Sequence, residues 1–347
     1  MRTSPQSSSK LTAMTLGIAV LFLLGSCSPK PQSFQDSALG TTILITIYGD
    51  LTTELRQGVM EILSDLEQRM TIWDSGPEGE LKELNNKAGY APYPLSPETQ
   101  KVLDQALEVA ERSGGALNPA IGPLVEAWGF ITYSPKLPEP QTIQRLLPLT
   151  QWQDIQKTDE GMYLARPGMK VDLGALAKGF AADQVRNFLI SKGVKSGIID
   201  LGGNIVTLGT KPDGQLWRAG VQDPDQGRGA YLGVLSLDSR TLVTSGDYER
   251  FFMENGTRYH HILDPKTGYP ANSDLRAVTI VTQSSLLADA LSTACFVLGL
   301  EKSLELLKLY PGVEALFVLK DRSLYLTPDL RTSFELVANY SLRENVR

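Results

Sequence analysis

The sequence predicts an α+β fold in which mixed or antiparallel sheets pack against helices. Runs of β-branched and apolar residues of strand length dominate the middle of the chain, and stretches with helical periodicity lie on both sides of them. Several of the predicted strands follow one another as hairpins. This order differs from the strict strand–helix–strand alternation that is typical of a parallel sheet.

The first half of the chain contains one clear strand and two clear helices. Thr41–Tyr48, with the sequence TTILITIY, is rich in β-branched residues, which favour strands. Thr53–Met70 has apolar residues at helical spacing. A second helix is predicted over residues 96–113, because Ser96 can cap its start, Pro97 suits its first turn and a Gly-Gly pair follows its end.

In the second half we expect a short strand at residues 170–173, followed by a helix that ends near Leu189. Residues 197–209 predict two strands joined by Gly-Gly-Asn, because such residues easily take the positive φ of a tight hairpin turn. Ser285–Leu298 predicts a helix that stops at Gly299. Further strands are expected at residues 230–237, 240–245, 259–263, 277–282 and 315–319.

The first 26 residues have the pattern of a bacterial secretory signal. Arg2 and Lys10 are the only charged residues before residue 28, and residues 11–24 are mostly apolar. This apolar stretch is shorter than the about 20 residues that a membrane-spanning helix needs, which disfavours the alternative of a transmembrane anchor. The segment ends in Leu-Gly-Ser-Cys, which resembles a lipobox. We therefore expect cleavage before Cys27 and attachment of a lipid to its sulfur, which would tether the protein to a membrane surface.

These observations predict a signal peptide over residues 1–26, a lipidated polar tether over 27–38, a folded domain over 39–335 and a C-terminal tail over 336–347. Removing the signal peptide takes away two basic and no acidic residues, so the formal net charge changes from −6 to −8. Because the chain is acidic and has no block of lysine or arginine, we expect no nucleic-acid partner. Cys27 and Cys295 are the only cysteines, so a lipidated Cys27 would leave the exported domain without a disulfide.

Asp289 and Thr293 form the first candidate site. They lie four residues apart in the predicted helix Ser285–Leu298, which places them one turn apart on the same face. A carboxylate and a hydroxyl at this spacing suit Mg²⁺, which prefers oxygen ligands and usually binds beside a substrate phosphate. The same spacing also occurs in an ordinary polar stripe on an amphipathic helix.

A second candidate site is the sequence VDLGALAKG, residues 171–179. Asp172 ends the predicted strand, and a helix is expected to begin at Ala175. The start of a helix presents free N–H groups and a partial positive charge, which favour an anion, and Lys178 could add a cation for a phosphate. In the alternative interpretation, Asp172 only caps the helix and Lys178 is solvated.

The two histidines of the chain, His260 and His261, are adjacent in RYHHILDPKTG. Neighbouring residues of a strand face opposite sides, so we expect one histidine to face a pocket and the other to face away. A histidine of near-neutral pKa suits the removal of a proton from a hydroxyl. No cysteine lies nearby, which disfavours a zinc site. An incidental histidine on a hairpin is the alternative.

Taken together, these motifs resemble the bacterial FAD:protein FMN transferases, the ApbE-like flavin transferases. The resemblance is collinear over residues 39–300 and rests on LGTT, MTIW with GELKELN, SGGALNPAIGPLVEAWGF, VDLGALAKGFAAD, DLGGN, VTSGDYERFF, HHILDPKTG and ADALSTA. It implies the family's T-fold-like α+β architecture. It also implies an enzyme that uses Mg²⁺ to transfer the FMN moiety of FAD to a threonine hydroxyl of an exported redox subunit, releasing AMP.

The resemblance further implies roles for the residues at matching positions. His261 would be the catalytic base, and the metal ligands would be Asp289, Thr293 and the backbone carbonyl of Ala175. The FAD contacts would be Leu39, Trp73, Ala116, Leu117, Asn118, Asp172, Lys178 and Leu263. Two of these positions depart from the family pattern.

Asn118 stands where the family usually has aspartate, which removes a negative charge but keeps the capacity for hydrogen bonds. Trp73 replaces the usual tyrosine, which removes a phenolic hydroxyl but keeps an aromatic face. Two other functions stay open at this point: a metal-dependent FAD pyrophosphatase that gives FMN and AMP, and a lipoprotein that binds FAD without turnover. In each case we expect an exported bacterial lipoprotein, anchored on the periplasmic or extracytoplasmic side of a membrane through Cys27.

Overall fold

The computed structural model describes residues 30–72, 78–130 and 134–344. Within these ranges the helices are α1 Thr53–Met70, α2 Glu80–Asn86, α3 Pro97–Arg112, α4 Gly122–Trp128, α5 Pro140–Leu146, α6 Ala177–Ser191, α7 Ser285–Leu298 and α8 Leu300–Leu307. The strands are β1 Pro31–Ala38, β2 Thr41–Tyr48, β3 Ile155–Thr158, β4 Gly161–Leu164, β5 Gly197–Leu201, β6 Asn204–Leu208, β7 Trp217–Gln222, β8 Tyr231–Leu237, β9 Thr241–Gly246, β10 Phe251–Glu254, β11 Thr257–His260, β12 Leu275–Thr282, β13 Glu314–Leu319, β14 Ser323–Leu326, β15 Phe334–Leu336 and β16 Ser341–Arg343.

A mixed sheet of nine strands is the centre of the fold. Its order is β1-β2-β5-β6-β9-β12-β13-β14-β16, and neighbouring strands are antiparallel except β14 and β16, which are parallel. Smaller sheets are formed by β15-β8-β7, by β10-β11 and by β3-β4. This arrangement confirms the prediction of an α+β fold with mixed and antiparallel sheets and packed helices.

The central sheet separates two hydrophobic clusters. On one face, α1, α3, α6 and α7 pack with the sheet around the main cluster, to which β2 contributes Ile43, Ile45 and Ile47, each at most 1% exposed. Burying one such side chain stabilises the fold by roughly 2 kcal/mol. On the other face, the sheet β15-β8-β7 packs around a second cluster that includes Leu235 and Val281. A third cluster surrounds the buried Trp128.

Local sequence signals explain several of these elements. Ser96 caps α3, since its side chain accepts a hydrogen bond from the backbone N–H of Thr99. The hairpin of β5 and β6 turns at Gly202 and Gly203, with φ values of 64° and 97°, as the Gly-Gly-Asn sequence predicts. Helix α7 ends at Gly299, with φ of 78°. The predictions of β2, α1, α3, the β5–β6 hairpin and α7 are confirmed.

Two terminal segments were predicted wrongly. The tether expected over residues 27–38 contains β1, which pairs with the whole of β2. The sequence of β1, PQSFQDSA, is polar because this strand lies at the edge of the sheet and buries only Phe34. The tail expected over residues 336–347 contains β16, which pairs with β14 and closes the other edge of the sheet.

The strand expected at residues 170–173 is also absent from the described fold. This segment is extended, but its backbone bonds to a loop and a side chain instead of a strand. Val171 N–H donates to Asn85 Oδ1 at 2.7 Å, Asn85 Nδ2 donates to the Val171 carbonyl at 3.0 Å, and Asp172 N–H donates to the Pro119 carbonyl at 2.8 Å. The helix after it begins at Ala177, two residues later than expected.

Some expectations concern residues outside the described ranges. Cys27, with the predicted signal peptide, and Trp73 are among them. Across residues 30–72, 78–130 and 134–344, no helix is both long and apolar enough to span a membrane.

Candidate active site

A cavity of about 790 Å³ opens where the β1–β2 turn, the starts of α4 and α6, helix α7 and the segments beside β10 and β11 meet. Eleven of the residues that the sequence predicts as site residues line it: Leu39, Ala116, Leu117, Asn118, Asp172, Ala175, Lys178, His261, Leu263, Asp289 and Thr293. They come from positions spread over more than 250 residues of sequence. The fold therefore brings every predicted site residue in the described ranges to one cavity.

Helix α7 presents Asp289 and Thr293 to this cavity from one face, as the four-residue spacing predicts. Asp289 Oδ2 accepts a hydrogen bond from the backbone N–H of Gly179 at 2.9 Å, and Lys178 Nζ lies 3.7 Å from the same oxygen. Ser245 Oγ of β9 lies 3.3 Å from Thr293 Oγ1. The two oxygen-bearing side chains are thus held by neighbours on α6 and β9.

Gly179 is required for the close approach of α6 to α7. A Cβ at this position would lie 2.2 Å from the Ser285 carbonyl oxygen and 2.8 Å from Asp289 Cβ, distances that no side chain can occupy. Because α6 can approach α7 this closely, Lys178 reaches Asp289. The glycine in the sequence ALAKGFAAD is therefore required for the contact between Lys178 and Asp289 in the cavity wall.

Burial disfavours the charged forms of two cavity carboxylates. Burial raises the pKa of Asp289, and Lys178, the Gly179 N–H and Asn204 oppose this effect. Burial also raises the pKa of Asp172, against the Gly174 N–H, which donates to Asp172 Oδ1 at 2.6 Å. Both carboxylates therefore favour the arrival of further positive charge.

The two histidines have different environments, as expected for neighbours at the end of a strand. His261 lines the cavity, and its Nδ1 lies 3.2 Å from the Arg250 carbonyl. His260 is buried outside the cavity lining, with Nε2 3.1 Å from the Ala271 carbonyl and its ring edge-on to Phe296. His260 is therefore a core residue, and His261 is the histidine available to a ligand.

The geometry also fixes the protonation of His261. A carbonyl oxygen can only accept a hydrogen bond, so Nδ1 carries the proton and Nε2 has a free lone pair. Burial, followed by the charges of Arg250, His260 and Lys178, lowers the pKa of His261 to about 3. The ring is therefore neutral at neutral pH and able to accept a proton at Nε2.

Comparison with known proteins agrees with this site. The sequence profile of the ApbE family matches residues 39–317. The chain belongs to the ApbE family. The FAD:protein FMN transferase of Treponema pallidum (strain Nichols) is 36% identical over 330 residues, which cover 88% of this chain and 91% of that protein. The protein of the same name from Klebsiella pneumoniae (strain 342) is 34% identical, with 88% and 94% covered.

Solved ApbE structures have the same fold. The ApbE protein of Thermotoga maritima superposes with a TM-score of 0.79 at 30% identity, covering 88% of this chain and 99% of that one. The flavin transferase ApbE from Vibrio cholerae gives the same TM-score at 26% identity and the same coverage. The family, the α+β ApbE fold and the enzyme class, a flavin transferase, are therefore confirmed as the sequence predicted them.

The structure shows how Asn118 is used in this member of the ApbE family. Its Oδ1 accepts a hydrogen bond from Ala120 N–H at 2.8 Å, and its Nδ2 donates to the Thr150 carbonyl at 2.8 Å. A carboxylate could accept the first bond but could not donate the second. The amide therefore fixes the loop that carries Ala116 and Leu117 into the cavity.

Sequence reasoning did not assign several residues of the cavity wall: Glu67, Asn204, Arg228, Ser245, Glu249 and Arg250. Asn204 lies in the motif DLGGN, and Ser245, Glu249 and Arg250 lie in VTSGDYERFF, so the motifs were identified without roles for these side chains. Glu67 holds the β1–β2 turn, because its Oε2 accepts the N–H of Leu39 at 3.2 Å. Arg228 has no motif signal in the sequence.

Proposed function

We propose that this protein transfers the FMN moiety of FAD to a threonine hydroxyl of an exported acceptor protein, in a reaction that needs Mg²⁺ and releases AMP. One observation carries the proposal. The same cavity is lined by a proton acceptor, His261, by two hard oxygen ligands, Asp289 and Thr293, and by a cation, Lys178. These are the groups that cleavage of a diphosphate by a hydroxyl requires.

The chemistry of the cavity wall suits a dinucleotide. Its volume of about 790 Å³ lies within the usual range for small-molecule sites, about 300–1,000 Å³. One apolar part of the wall includes Met70 and Leu117, which belong to the main hydrophobic cluster. A second apolar part includes Phe130 and Leu263, which belong to the Trp128 cluster. Two apolar regions and a polar region match two ring systems and the diphosphate of FAD.

The oxygen donors fit Mg²⁺ as a site that the substrate completes. Asp289 gives one carboxylate, Thr293 a hydroxyl and Ala175 a backbone carbonyl on the same cavity wall. In the described ranges no three His, Cys, Asp or Glu side chains cluster as a metal site. Mg²⁺ usually binds through one or two carboxylates and substrate phosphates, so this donor set suits it. When bound, Mg²⁺ would neutralise charge that develops on the diphosphate oxygens.

His261 is placed to remove the proton of the acceptor hydroxyl. As the threonine oxygen bonds to the phosphorus of the FMN half, the bond from that phosphorus to the AMP oxygen breaks, and the threonine proton passes to Nε2 of His261. In the protein without FAD, the pKa of His261 is lowered to about 3. The negative diphosphate of FAD would raise the pKa of this ring and strengthen it as a base.

The decisive experiment is incubation of the protein with FAD, Mg²⁺ and a candidate exported redox subunit, followed by mass spectrometry of the intact subunit. We expect a mass gain equal to FMN on one threonine, together with free AMP. Free FMN and AMP without a mass gain would identify a pyrophosphatase instead. Binding of FAD without either product would identify a flavin-binding protein and reject both enzymatic functions.

We also propose that the protein is exported and anchored to a membrane by a lipid on Cys27. The basic start, the short apolar stretch and the Leu-Gly-Ser-Cys sequence support this proposal. Labelled palmitate should enter the wild-type protein in a bacterial host, and Cys27→Ala should stay unlabelled. Equal labelling of both proteins would reject lipidation at this cysteine.

A further inference from the structure

Three cationic side chains line the cavity, and they differ in their partners. Lys178 Nζ lies 3.7 Å from Asp289, and Arg228 Nη2 lies 3.5 Å from Glu249. Within the described part of the chain, Arg250 forms no ion pair, and its guanidinium makes one long hydrogen bond, 3.5 Å to the Gly40 carbonyl. Arg250 therefore presents a positive charge to the cavity that no described carboxylate contacts within ion-pair distance, although it acts on Asp172 from further away.

The main chain of Arg250 has a separate task. Its carbonyl accepts hydrogen bonds from the His261 backbone N–H at 3.0 Å and lies 3.2 Å from His261 Nδ1. Both contacts place the His261 ring, and both use a backbone atom that every substitution at position 250 keeps. The position of the ring and the charge beside it can therefore be separated by mutation.

We propose that the guanidinium of Arg250 binds the diphosphate of FAD, while the Arg250 carbonyl holds the His261 ring that accepts the threonine proton. This inference rests on the proposed function and assigns a residue to it that neither the motifs nor the comparisons assign. A guanidinium donates paired hydrogen bonds to phosphate oxygens, which a single ammonium such as that of Lys178 cannot match in geometry. Arg250 would then fix the distance between the FAD diphosphate and the His261 ring.

Charge coupling around the ring supports the proposal. Two cations, Arg250 and Lys178, and the neighbouring ring of His260 each lower the pKa of His261. Arg250 also lowers the pKa of Asp172, so its charge reaches both sides of the cavity. Burial is the largest cause of the lowered pKa of His261, and a diphosphate on Arg250 would offset the part that comes from the Arg250 charge, so substrate binding would make the ring a stronger base.

The test compares Arg250→Gln, which removes the charge, with Arg250→Lys, which keeps a charge but loses the planar fork. Arg218→Gln is a matched control, because Arg218 pairs with Glu335 outside the cavity lining. We expect the FAD dissociation constant, measured by flavin fluorescence, to rise about 10- to 100-fold in Arg250→Gln. The rise should be smaller in Arg250→Lys, and Arg218→Gln should equal the wild type.

A second readout tests the coupling of the Arg250 charge to the His261 ring. The chain has only two histidines, so ¹⁵N-detected titration can follow His261, with His261→Gln assigning its signals. Removing the positive charge should raise the pKa of His261 in Arg250→Gln without FAD, and Arg250→Lys should restore the low value. A purely structural clamp on Gly40 is recognised with riboflavin, which has no phosphate: loss of a clamp should weaken binding of riboflavin and FAD alike, whereas loss of a phosphate contact should leave riboflavin binding unchanged.

The proposal is overturned if Arg250→Gln binds FAD within twofold of the wild type, or if the pKa of His261 is the same in both proteins. Neither measurement needs transfer to occur. If the wild-type protein binds FAD but transfers nothing to any acceptor, the proposed function is wrong. The FAD dissociation constants of the Arg250 variants would still show whether Arg250 binds the diphosphate.

Discussion

Two polar clusters on opposite sides of the central sheet differ in how completely their charges are paired. Beside the second hydrophobic cluster, Arg276 Nε donates to Asp247 Oδ2 at 2.8 Å and Arg276 Nη1 donates to Asp225 Oδ1 at 2.7 Å. Arg322 Nη1 reaches Asp225 Oδ2 at 3.0 Å. Every charge in this cluster has an opposite charge at hydrogen-bond distance.

The cavity cluster is paired less closely. Lys178 and Asp289 are 3.7 Å apart, and Arg250 has no ion pair among the described residues. The pKa values show the consequence. Burial lowers the pKa of Arg276, but Asp247 and Asp225 outweigh burial and raise it, so its charged form is favoured. Burial dominates for Asp289, so its charged form is disfavoured. The charges of the first cluster are paired within the chain, and the second cluster leaves charge for a ligand to pair.

The largest effect that tests this comparison is expected from Asp289→Ala. If Asp289 is a metal ligand, as we propose, loss of the carboxylate should lower transfer by about a thousandfold or more. The free energy of unfolding should fall by less than in Asp247→Ala, because the loss of the Gly179 hydrogen bond is partly offset by removing a buried carboxylate with a raised pKa. Mass spectrometry of the acceptor and thermal unfolding measure the two quantities. Full transfer by Asp289→Ala at controlled Mg²⁺ would show that the ligand assignment is wrong.

His261→Ala should give the next largest effect. If His261 is the general base, as we propose, its removal should cost about 10²- to 10⁴-fold in rate, and FAD binding should stay within a few-fold of the wild type. His260→Asn is an informative partner, since His260 is buried outside the cavity lining and should affect stability more than chemistry. If His260→Asn loses transfer while His261→Ala keeps it, the roles of the two histidines are reversed.

Asp247→Ala tests the paired cluster. The side chains of Asp247 and Arg276 are 12% and 20% exposed, and breaking a largely buried ion pair costs about 3 kcal/mol in free energy of unfolding. Denaturant unfolding measures this loss. The exposed pair of Arg218 and Glu335 is the control, for which Arg218→Gln should cost about 0.5 kcal/mol or less. Equal losses in the two variants would contradict the distinction between the clusters.

Asn118→Asp should have the smallest effect. The carboxylate cannot donate to the Thr150 carbonyl, and loss of one buried hydrogen bond costs about 1 kcal/mol. Asn118 helps to fix the loop that carries Ala116 and Leu117 into the cavity, so the FAD dissociation constant should also rise. The expected rise is only a few-fold, because the hydrogen bond from Ala120 N–H is kept. A more stable Asn118→Asp variant would show that the hydrogen bond to Thr150 is not what selects the amide.

Much of the fold could be predicted because the signals are local. Ser96 with Pro97, the Gly202–Gly203 turn and Gly299 each fix an element boundary through their own backbone chemistry. Residues 170–173 could not be predicted, because their apolar pattern is that of a strand, whereas their hydrogen-bond partners, Asn85 and Pro119, lie far away in sequence.

The site residues also divide into those with a local sequence signal and those without one. The four-residue spacing of Asp289 and Thr293 indicated their common face, and the pattern of a strand separated His261 from His260. The cation of Arg250 could not be identified, because arginine beside an aromatic strand usually lies in solvent. Its position on the cavity wall follows only from the pairing of β10 with β11, which places residues 250 and 261 together.

If the protein is anchored through Cys27, the edge strand β1 limits how far the active site can lie from the membrane. Its last residue, Ala38, lines the cavity, and its first, Pro31, lies about 23 Å away along the strand. If Cys27 carries a lipid, as we propose, the four residues up to Pro31 extend at most about 14 Å. The cavity can therefore lie at most about 37 Å from Cys27, which is slightly less than the roughly 43 Å of a fully extended twelve-residue tether, and about 23 Å of that reach is a strand of the sheet. An acceptor would then have to bring its threonine within this distance of the bilayer, which favours redox subunits that are themselves held at the same membrane.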